Sequence, residues 1–451
     1  MQRYEKYKDS GIDWLGEIPE HWEVKRLGNW FVERKTKVSD KDYEPLSVTK
    51  IGVVPQLANA AKSNDGDNRK LVKRGDFVIN SRSDRKGSSG LSSLNGSVSL
   101  INIVMEPRSI HGVYTNYLLK SNSFIEEFYR NGHGIVADLW TTRFDEMKFI
   151  HLAIAPFHEQ GAIANFLDDK CEKIDAAVDL KEQQIEKLKE LRQITIHNAV
   201  TKGIQHSNGD VVPMKDSGVD WIGEIPEHWF TGKFKHYSSI KARLGWKGLK
   251  ADEYVDNSDF GFLSTPNIKN DEIAFDKAYF ITKYRYDESP EIMLEPMDVL
   301  LVKDGSTLGI SNIVKYLPFK CTVNSSIAVL RIFDRKIINP CFLNYVLKGE
   351  YIQRIISNMK GGMGVPHLFQ SDIKNFKFFI PPISEQEKIV TYLDEQTSKI
   401  DKAIAQKQTQ ITKLKEYKQS LINEVVRGKV RVDQTNNTEN INELNEVSYG
   451  Q

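Results

Sequence analysis

Apolar residues at Ile163, Leu167, Ile174, Val178, Ile185 and Leu188 recur at steps of three, four and seven, and Ile389, Leu393, Ile400, Ile404, Ile411 and Leu414 do the same further on. That period is the stripe of a long amphipathic helix. Prolines mark the starts (Pro156; Pro381 and Pro382) and Gly203 and Gly428 follow the ends, as helix punctuation requires. A helix of roughly forty residues spans about 60 Å. Elsewhere the pattern is different. LVKRGDFVINSR, GSVSLINIVM, DVLLVKDG, SIAVLRIF and KFFIPP are short β-branched runs bounded by Gly, Asp, Asn and Ser, which read as strands and turns. TNYLLKSNSFIEEFYR and PCFLNYVLKGEYIQRIISNM read as short helices. The chain therefore alternates mixed α/β domains, β-rich at their cores, with long helices.

It also repeats itself. Lys8–Trp22 and Lys215–Trp229 differ only by Ile12 against Val219 and Leu15 against Ile222. Pro156–Glu190 repeats as Pro382–Glu416, sharing Glu159/Glu385, Gln160/Gln386, Leu167/Leu393, Asp168/Asp394, Ile174/Ile400, Asp175/Asp401, Ile185/Ile411 and Leu188/Leu414. The first match has an offset of 207 (8 to 215) and the second of 226 (156 to 382), so the segment between is 19 residues longer in the second copy. A weaker match pairs Gly132–Trp140, GHGIVADLW, with Gly361–Phe369, GGMGVPHLF. Shared ends and divergent middles separate a common scaffold from a variable task. Each helical stripe has no evident partner inside its own module, so the two are expected to pack on each other as an antiparallel coiled coil through Ile163, Leu167, Ile174, Ile185, Leu188, Ile389, Leu393, Ile400, Ile411 and Leu414, the alternative being that either helix docks on its own globule. The expected architecture is α+β with an internal pseudo-two-fold repeat: a first domain at 1–155, a helix at 156–203, a linker at 204–213, a second domain at 214–380, a helix at 381–430 and an acidic tail, disordered in composition, at 431–451.

Composition narrows the class. At 451 residues, 40% hydrophobic and 27% charged, the chain suits two or three soluble domains. Cys171, Cys321 and Cys341 form no metal-ligand or disulfide spacing, so no metal or cofactor is expected and a reducing cytoplasm fits. The N-terminus lacks a signal-like apolar stretch, and no run approaches a membrane span. A net charge of +1 argues against indiscriminate coating of a polyanion. Cations nevertheless cluster in both middles: Lys233–Lys250 holds six Lys or Arg and no acid, and Gly66–Gly90 holds Arg69, Lys70, Lys73, Arg74, Arg82, Arg85 and Lys86 against Asp67, Asp76 and Asp84.

Each cluster includes a polar loop, SRSDRKGSS at Ser81–Ser89 between two expected strands and KARLGWKGLK at Lys241–Lys250, and loops on a rigid frame are where recognition normally resides. In the first, Arg82, Ser83, Asp84, Arg85, Lys86 and Ser88 combine groups that grip guanine edges, accept from cytosine and hold phosphate. In the second, Lys241, Arg243, Trp246 and Lys247 lie near a further loop of Lys303, Asp304, Ser306 and Thr307. His133 and His367 are further candidates for DNA contact. Catalytic motifs are weak by comparison. Asn339-Pro340-Cys341-Phe342 lacks the second proline of an amino-methyltransferase motif and starts a helix instead, and no GxxxxGK[ST] loop occurs to support a nucleotide motor. Gly361, Gly362 and Gly364 have a counterpart in Gly132 and Gly134, which points to a shared turn. His21 and His228, beside Glu20 and Glu227, lie in the repeated head, where scaffold packing outweighs acid–base work.

The head KDSG.DW.GEIPEHW, the phrase RLGWKGLKADEY, the stretch DVLLVKDGSTLG and the repeated EQ..I...LD....ID helix resemble the specificity subunit of type I restriction-modification systems, from about Lys8 to about Lys429. The resemblance implies a chain without catalysis of its own. It implies two target-recognition domains, each reading half of a split double-stranded DNA site, with helices that set the spacer and dock adenine-methyltransferase modification subunits. Cleavage would belong to separate motor-nuclease subunits. The competing reading of the residues is a duplicated coiled-coil adaptor that binds proteins; only DNA binding falls steeply with salt.

Overall fold

In the computed structural model the described residues are 2–58, 66–134, 140–204, 212–243, 249–359 and 367–432; Trp246, Lys247, Gly361, Gly362, Gly364 and the acidic tail lie outside them. The head folds as a short hairpin in each copy, Tyr7–Asp9 on Glu17–Pro19 and Met214–Asp216 on Glu224–Pro226. Its near-identity has a local cause. Asp9 and Asp216 each accept the backbone N–H two residues on, at 3.0 and 2.9 Å, and the glycines there, Gly11 and Gly218, have φ of 70°, a conformation that costs other residues ~1–2 kcal/mol.

The two middles share a four-stranded sheet. In the first its order is Ser89–Leu91, Phe77–Asn80, Asn102–Pro107, Phe31–Glu33; in the second it is Ser311–Ile313, Val299–Val302, Ile327–Ile332, Ser238–Lys241, all antiparallel. A smaller sheet differs. The first has Gly96–Ser99, Arg69–Val72 and Lys37–Val38, all antiparallel. In the second, Phe260–Leu263 pairs parallel with Lys320–Val323 and antiparallel with Tyr279–Phe280. A parallel pair needs a long crossover, which the longer second middle supplies.

Each middle continues into a two-helix hairpin, Gly112–Leu119 with Asn122–Arg130 and Pro340–Lys348 with Glu350–Asn358. A last strand, His151–Ile154 or Lys377–Ile380, pairs back with the segment after the head. It leads through proline into a helix of 46 residues, Phe157–Lys202, or 44 residues, Ile383–Val426.

Compactness does not follow chain order. One unit joins residues 1–182 to 408–451, and the other holds 183–407, so each contains the start of one long helix and the end of the other. Within the first unit Lys418 Nζ meets Asp175 at 2.6 Å and Lys181 Nζ meets Gln410 at 2.8 Å. Within the second, Lys407 Nζ meets Gln184 at 2.7 Å and Arg192 Nε meets Asp401 at 3.1 Å. Numbers rise on one helix as they fall on the other, so the pairing in each unit is antiparallel.

One expectation needs correcting: the stripes do have partners in their own modules. Ile163, Leu167 and Ile174 are buried in one core with Trp22, Tyr114 and Leu118, together with Leu421, Ile422 and Val425 from the far end of the other long helix. Ile389 and Leu393 are buried likewise with Trp229, Phe342 and Tyr345, and with Ile196, Ala199 and Val200. Hydrophobic burial is non-directional, and a stripe turning past a globular core is covered by it first. Leu414 packs half-buried against the first core; beyond the cores Ile185, Ile400 and Ile411 are buried and Leu188 is half-buried.

Both long helices stop at a left-handed glycine, Gly203 (φ 76°) and Gly428 (φ 69°), where only glycine is unstrained. An added Cβ on Gly428 would lie 2.4 Å from Pro19 Cδ. Gly428→Ala is therefore expected to cost about 2–4 kcal/mol from backbone strain plus overpacking. Thermal melting checks this; an unchanged midpoint would refute the close approach.

Candidate nucleic-acid interface

Three repeated side-chain sets fix the frame on which the loops stand. The helix-start glutamates hold the heads: Glu159 Oε2 accepts from Trp22 Nε1 at 3.2 Å and lies 3.0 Å from His21 Nε2. Glu385 does the same for Trp229 at 3.2 Å and His228 at 2.8 Å. Both tryptophans are fully buried, so the indole N–H needs this acceptor. The head histidines thus pair with the helix glutamates, not with Glu20 or Glu227.

The neighbouring glutamines hold the hairpins. Gln160 Oε1 accepts His111 N–H and Gln386 Oε1 accepts Asn339 N–H, each at 2.8 Å. Asn339 in turn caps its helix by accepting Cys341 N–H at 2.9 Å, which accounts for the Asn-Pro-Cys-Phe segment structurally.

The third set is a repeat that periodicity alone missed: Asn116-Tyr-Leu-Leu-Lys120 against Asn344-Tyr-Val-Leu-Lys348. The asparagines tie to the sheet edge, Asn116 accepting Leu91 N–H at 3.1 Å and Asn344 the Ser311 hydroxyl at 3.0 Å. The tyrosine hydroxyls donate to Asp168 (2.7 Å) and Asp394 (2.6 Å), and burial with these bonds raises both tyrosines well above their usual range. The lysines reach backbone carbonyls of the variable middles, Lys120 to Lys50 at 3.1 Å and Lys348 to Asn270 at 2.7 Å. Burial lowers both, Lys348 to about 8. A direct comparison of the two hairpins at an offset of 228 (116 to 344) exposes this motif in the sequence.

On this frame the loop that leaves the second strand of each four-stranded sheet meets the segment ahead of the domain's last short helix. In the first domain Thr141 bridges both Arg82 and His133, Ser83 N–H donates to Trp140 O at 2.9 Å and Thr142 N–H to Ser81 O at 3.0 Å. In the second, Asp304 bridges His367 and Leu368 N–H donates to Lys303 O at 2.7 Å. The loops singled out from sequence are therefore joined to His133 and His367 by backbone pairing. The weak glycine match is shifted by three residues: Thr142 answers to Leu368 and Arg143 to Phe369, because backbone hydrogen bonds set the register and aromatic likeness does not.

The candidate side chains divide by exposure. Asp84, Arg85, Lys86, His133, Lys241, Ser306 and His367 are exposed, and Arg82, Ser83, Asp304 and Thr307 are half-buried. Ser88, Arg243 and Lys303 are 6%, 3% and 8% exposed, so they pack the loops from within. Arg243 donates to Val323 O at 3.4 Å and lies over the Phe262 ring, and burial lowers its pKa. Lys303 Nζ is 3.5 Å from Asp304, which is 3.4 Å from His367 Nδ1. In the first domain Asp84 lies 3.5 Å from Arg82 Nε and 3.6 Å from Arg85 Nε, and Lys86 pairs with Glu126 at 2.6 Å. Exposed pairs such as those in the first domain are worth at most ~1 kcal/mol, so their acids hold these cations only weakly. Trp140, Arg143 and Phe369 border the same sites; the residue-type argument over the basic loops passed them by. Among the described residues no cluster of His, Cys, Asp and Glu could hold a metal ion, and no helix is long and apolar enough to cross a membrane.

Known proteins match this chain along most of its length. The type I restriction modification DNA specificity domain matches residues 247–415. The MjaVIII specificity subunit of Methanocaldococcus jannaschii, a type I restriction enzyme subunit, is 24% identical over 93% of this chain and 95% of its own. The EcoKI specificity subunit of Escherichia coli is 22% identical over 46% of this chain and 44% of its own. Among solved structures, a chain from a type I R-M system, studied for complex assembly and conformational transition, superposes with a TM-score of 0.68 at 16% identity, covering 92% of this chain and 99% of that one. The HsdS subunit of Thermoanaerobacter tengcongensis gives 0.51 at 16% identity over 92% and 98%. The likenesses to the MjaVIII subunit and to the solved chains extend over both copies of the repeat, so along most of its length the chain is similar to the DNA specificity subunits of type I restriction-modification systems.

Proposed function

We propose that each β-rich domain reads one half of a bipartite double-stranded DNA site, and that the paired long helices, as an antiparallel coiled coil within a pseudo-two-fold repeat, set the spacer between the halves. The same helices dock the adenine-methyltransferase modification subunits, and the motor-nuclease subunits join that complex. The observation that carries this reading is the loop pair present at the same place in both domains: the backbone bonds match while the side chains differ. Arg82 to Lys86 with His133 form one surface and Asp304 to Thr307 with His367 the other; Lys241 is a further exposed cation of the second domain, and Trp246 and Lys247, outside the described residues, stay candidates from the sequence. A scaffold kept constant under changing polar loops is what two different DNA half-sites demand.

The test is an exchange of the segment between the second head and the second long helix, residues 230–380, for that of a relative with a different target. The chain is co-expressed with its modification subunits and methylated positions are sequenced. One half of the methylated motif is expected to change, with the other half and the spacer kept. A motif altered in both halves, or a continuous motif for the unaltered chain, refutes the two-domain reading.

A further inference from the structure

The position held by Arg143 in the first domain and Phe369 in the second is fixed in backbone and free in side chain. The residue before it is buried and locked: Thr142 is 0% exposed, bonded to Ser81 O and donating its hydroxyl to Phe128 O at 3.0 Å; Leu368 is 0% exposed and bonded to Lys303 O. The N–H of the position itself is taken by an acid three residues on, Arg143 by Glu146 at 2.7 Å and Phe369 by Asp372 at 3.0 Å. Backbone direction is thereby set twice over, and identically in the two copies. Among the described residues nothing comparable holds the side chain. Arg143 is exposed, and Phe369 is 62% exposed with one ring edge on His367 at 4.8 Å.

Among the described residues the exposed phenylalanine has only the His367 ring beside it, and an arginine at the equivalent point shares neither shape nor chemistry with it. Both stand beside the loop that carries the exposed polar groups. We infer that Arg143 and Phe369 are specificity-determining residues, one for each half-site, Arg143 forking onto a guanine edge and Phe369 meeting an apolar base edge such as the thymine methyl. This rests on the proposed two-domain reading. It goes further by naming one residue per domain and the base chemistry each one takes. An arginine fork on guanine and an apolar contact on thymine both carry sequence information that a phosphate contact lacks.

The experiment compares the full chain with its Arg143→Lys, Arg143→Phe and Phe369→Arg variants, each co-expressed with the modification subunits, by sequencing methylated positions. Arg143→Phe is expected to change the preferred base at one position of one half-site, and Phe369→Arg at one position of the other half, each with a roughly tenfold to hundredfold shift between bases. Arg143→Lys, which keeps charge but loses the fork, is expected to relax that same position. If the motif stays the same in every variant, or methylation falls equally at all sites, the inference is overturned. If a variant methylates nothing, binding of the same chain to duplexes randomised at one half-site decides by the same criteria, with an unchanged melting temperature showing that the fold is intact. A wild-type chain that gives a bipartite motif alongside variants whose base preferences are unchanged would remove this inference and leave the two-domain reading standing.

Discussion

Asp76→Ala is expected to destabilise the first domain by about 3–5 kcal/mol, the range for removing one partner of a buried ion pair. Asp76 is 2% exposed and opens the strand that feeds the Arg82 loop. Its carboxylate takes Arg34 Nε at 2.8 Å and Nη2 at 3.0 Å, and its Oδ2 accepts Lys73 N–H at 2.8 Å. Arg34 is held above its usual pKa chiefly by that bond. Alanine would leave the guanidinium facing the interior with only exposed Glu106 at 3.1 Å and would strip the turn of its acceptor. The second domain solves the same problem with an arginine from another strand. Asp298, 1% exposed, accepts Glu295 N–H at 2.8 Å and pairs with Arg331 Nε and Nη2, both at 2.8 Å. In sheet register Arg331 occupies the place of Glu106, since Met105 faces Phe77 as Leu330 faces Val299. Arg34→Ala should therefore be destabilising alone, and Arg34→Ala with Glu106→Arg should recover much of the loss. Thermal melts of the single and double variants decide; equal melting points for the two would show that the strands do not exchange this role.

Four residues inserted in each long helix, after Glu182 and after Lys407, are expected to lengthen the DNA spacer by about one to two base pairs without altering either half-site. At ~1.5 Å per residue the insertion adds ~6 Å, against ~3.4 Å per base-pair step. Four residues turn a helix through ~400°, so the apolar stripe returns to within ~40° of its face. Extending both helices keeps the antiparallel partners Asp175–Lys418 and Arg192–Asp401 in step within their units. Sequencing of methylated sites gives the answer. A spacer that stays constant while methylation persists would show that the helices do not set it, and a changed half-site would show that they do more.

Much of this was present in the linear chain. Duplication, the helical stripes and the strands are local in cause: period, proline and glycine act within a few residues, so Pro156 and Gly203 bracket a helix wherever it lies. The resemblance to specificity subunits rested on those local motifs, and the comparisons agree with it. Site residues were legible only as types. Nothing in a run such as KARLGWKGLK says that Arg243 turns inward to Val323 O and the Phe262 ring while Lys241 faces solvent, because burial depends on strands some eighty residues away.

The sequence by itself determined that there are two modules, where their helices begin and end, and which segments vary. Only the tertiary structure decided which halves of the chain form a unit, with the last turns of each helix buried in the core that opens the other copy's module. It alone placed Arg143 and Phe369 in equivalent positions. The reason is that burial and cross-strand hydrogen bonding couple residues by distance in space, and a pattern read along the chain records only the half of each contact that is local.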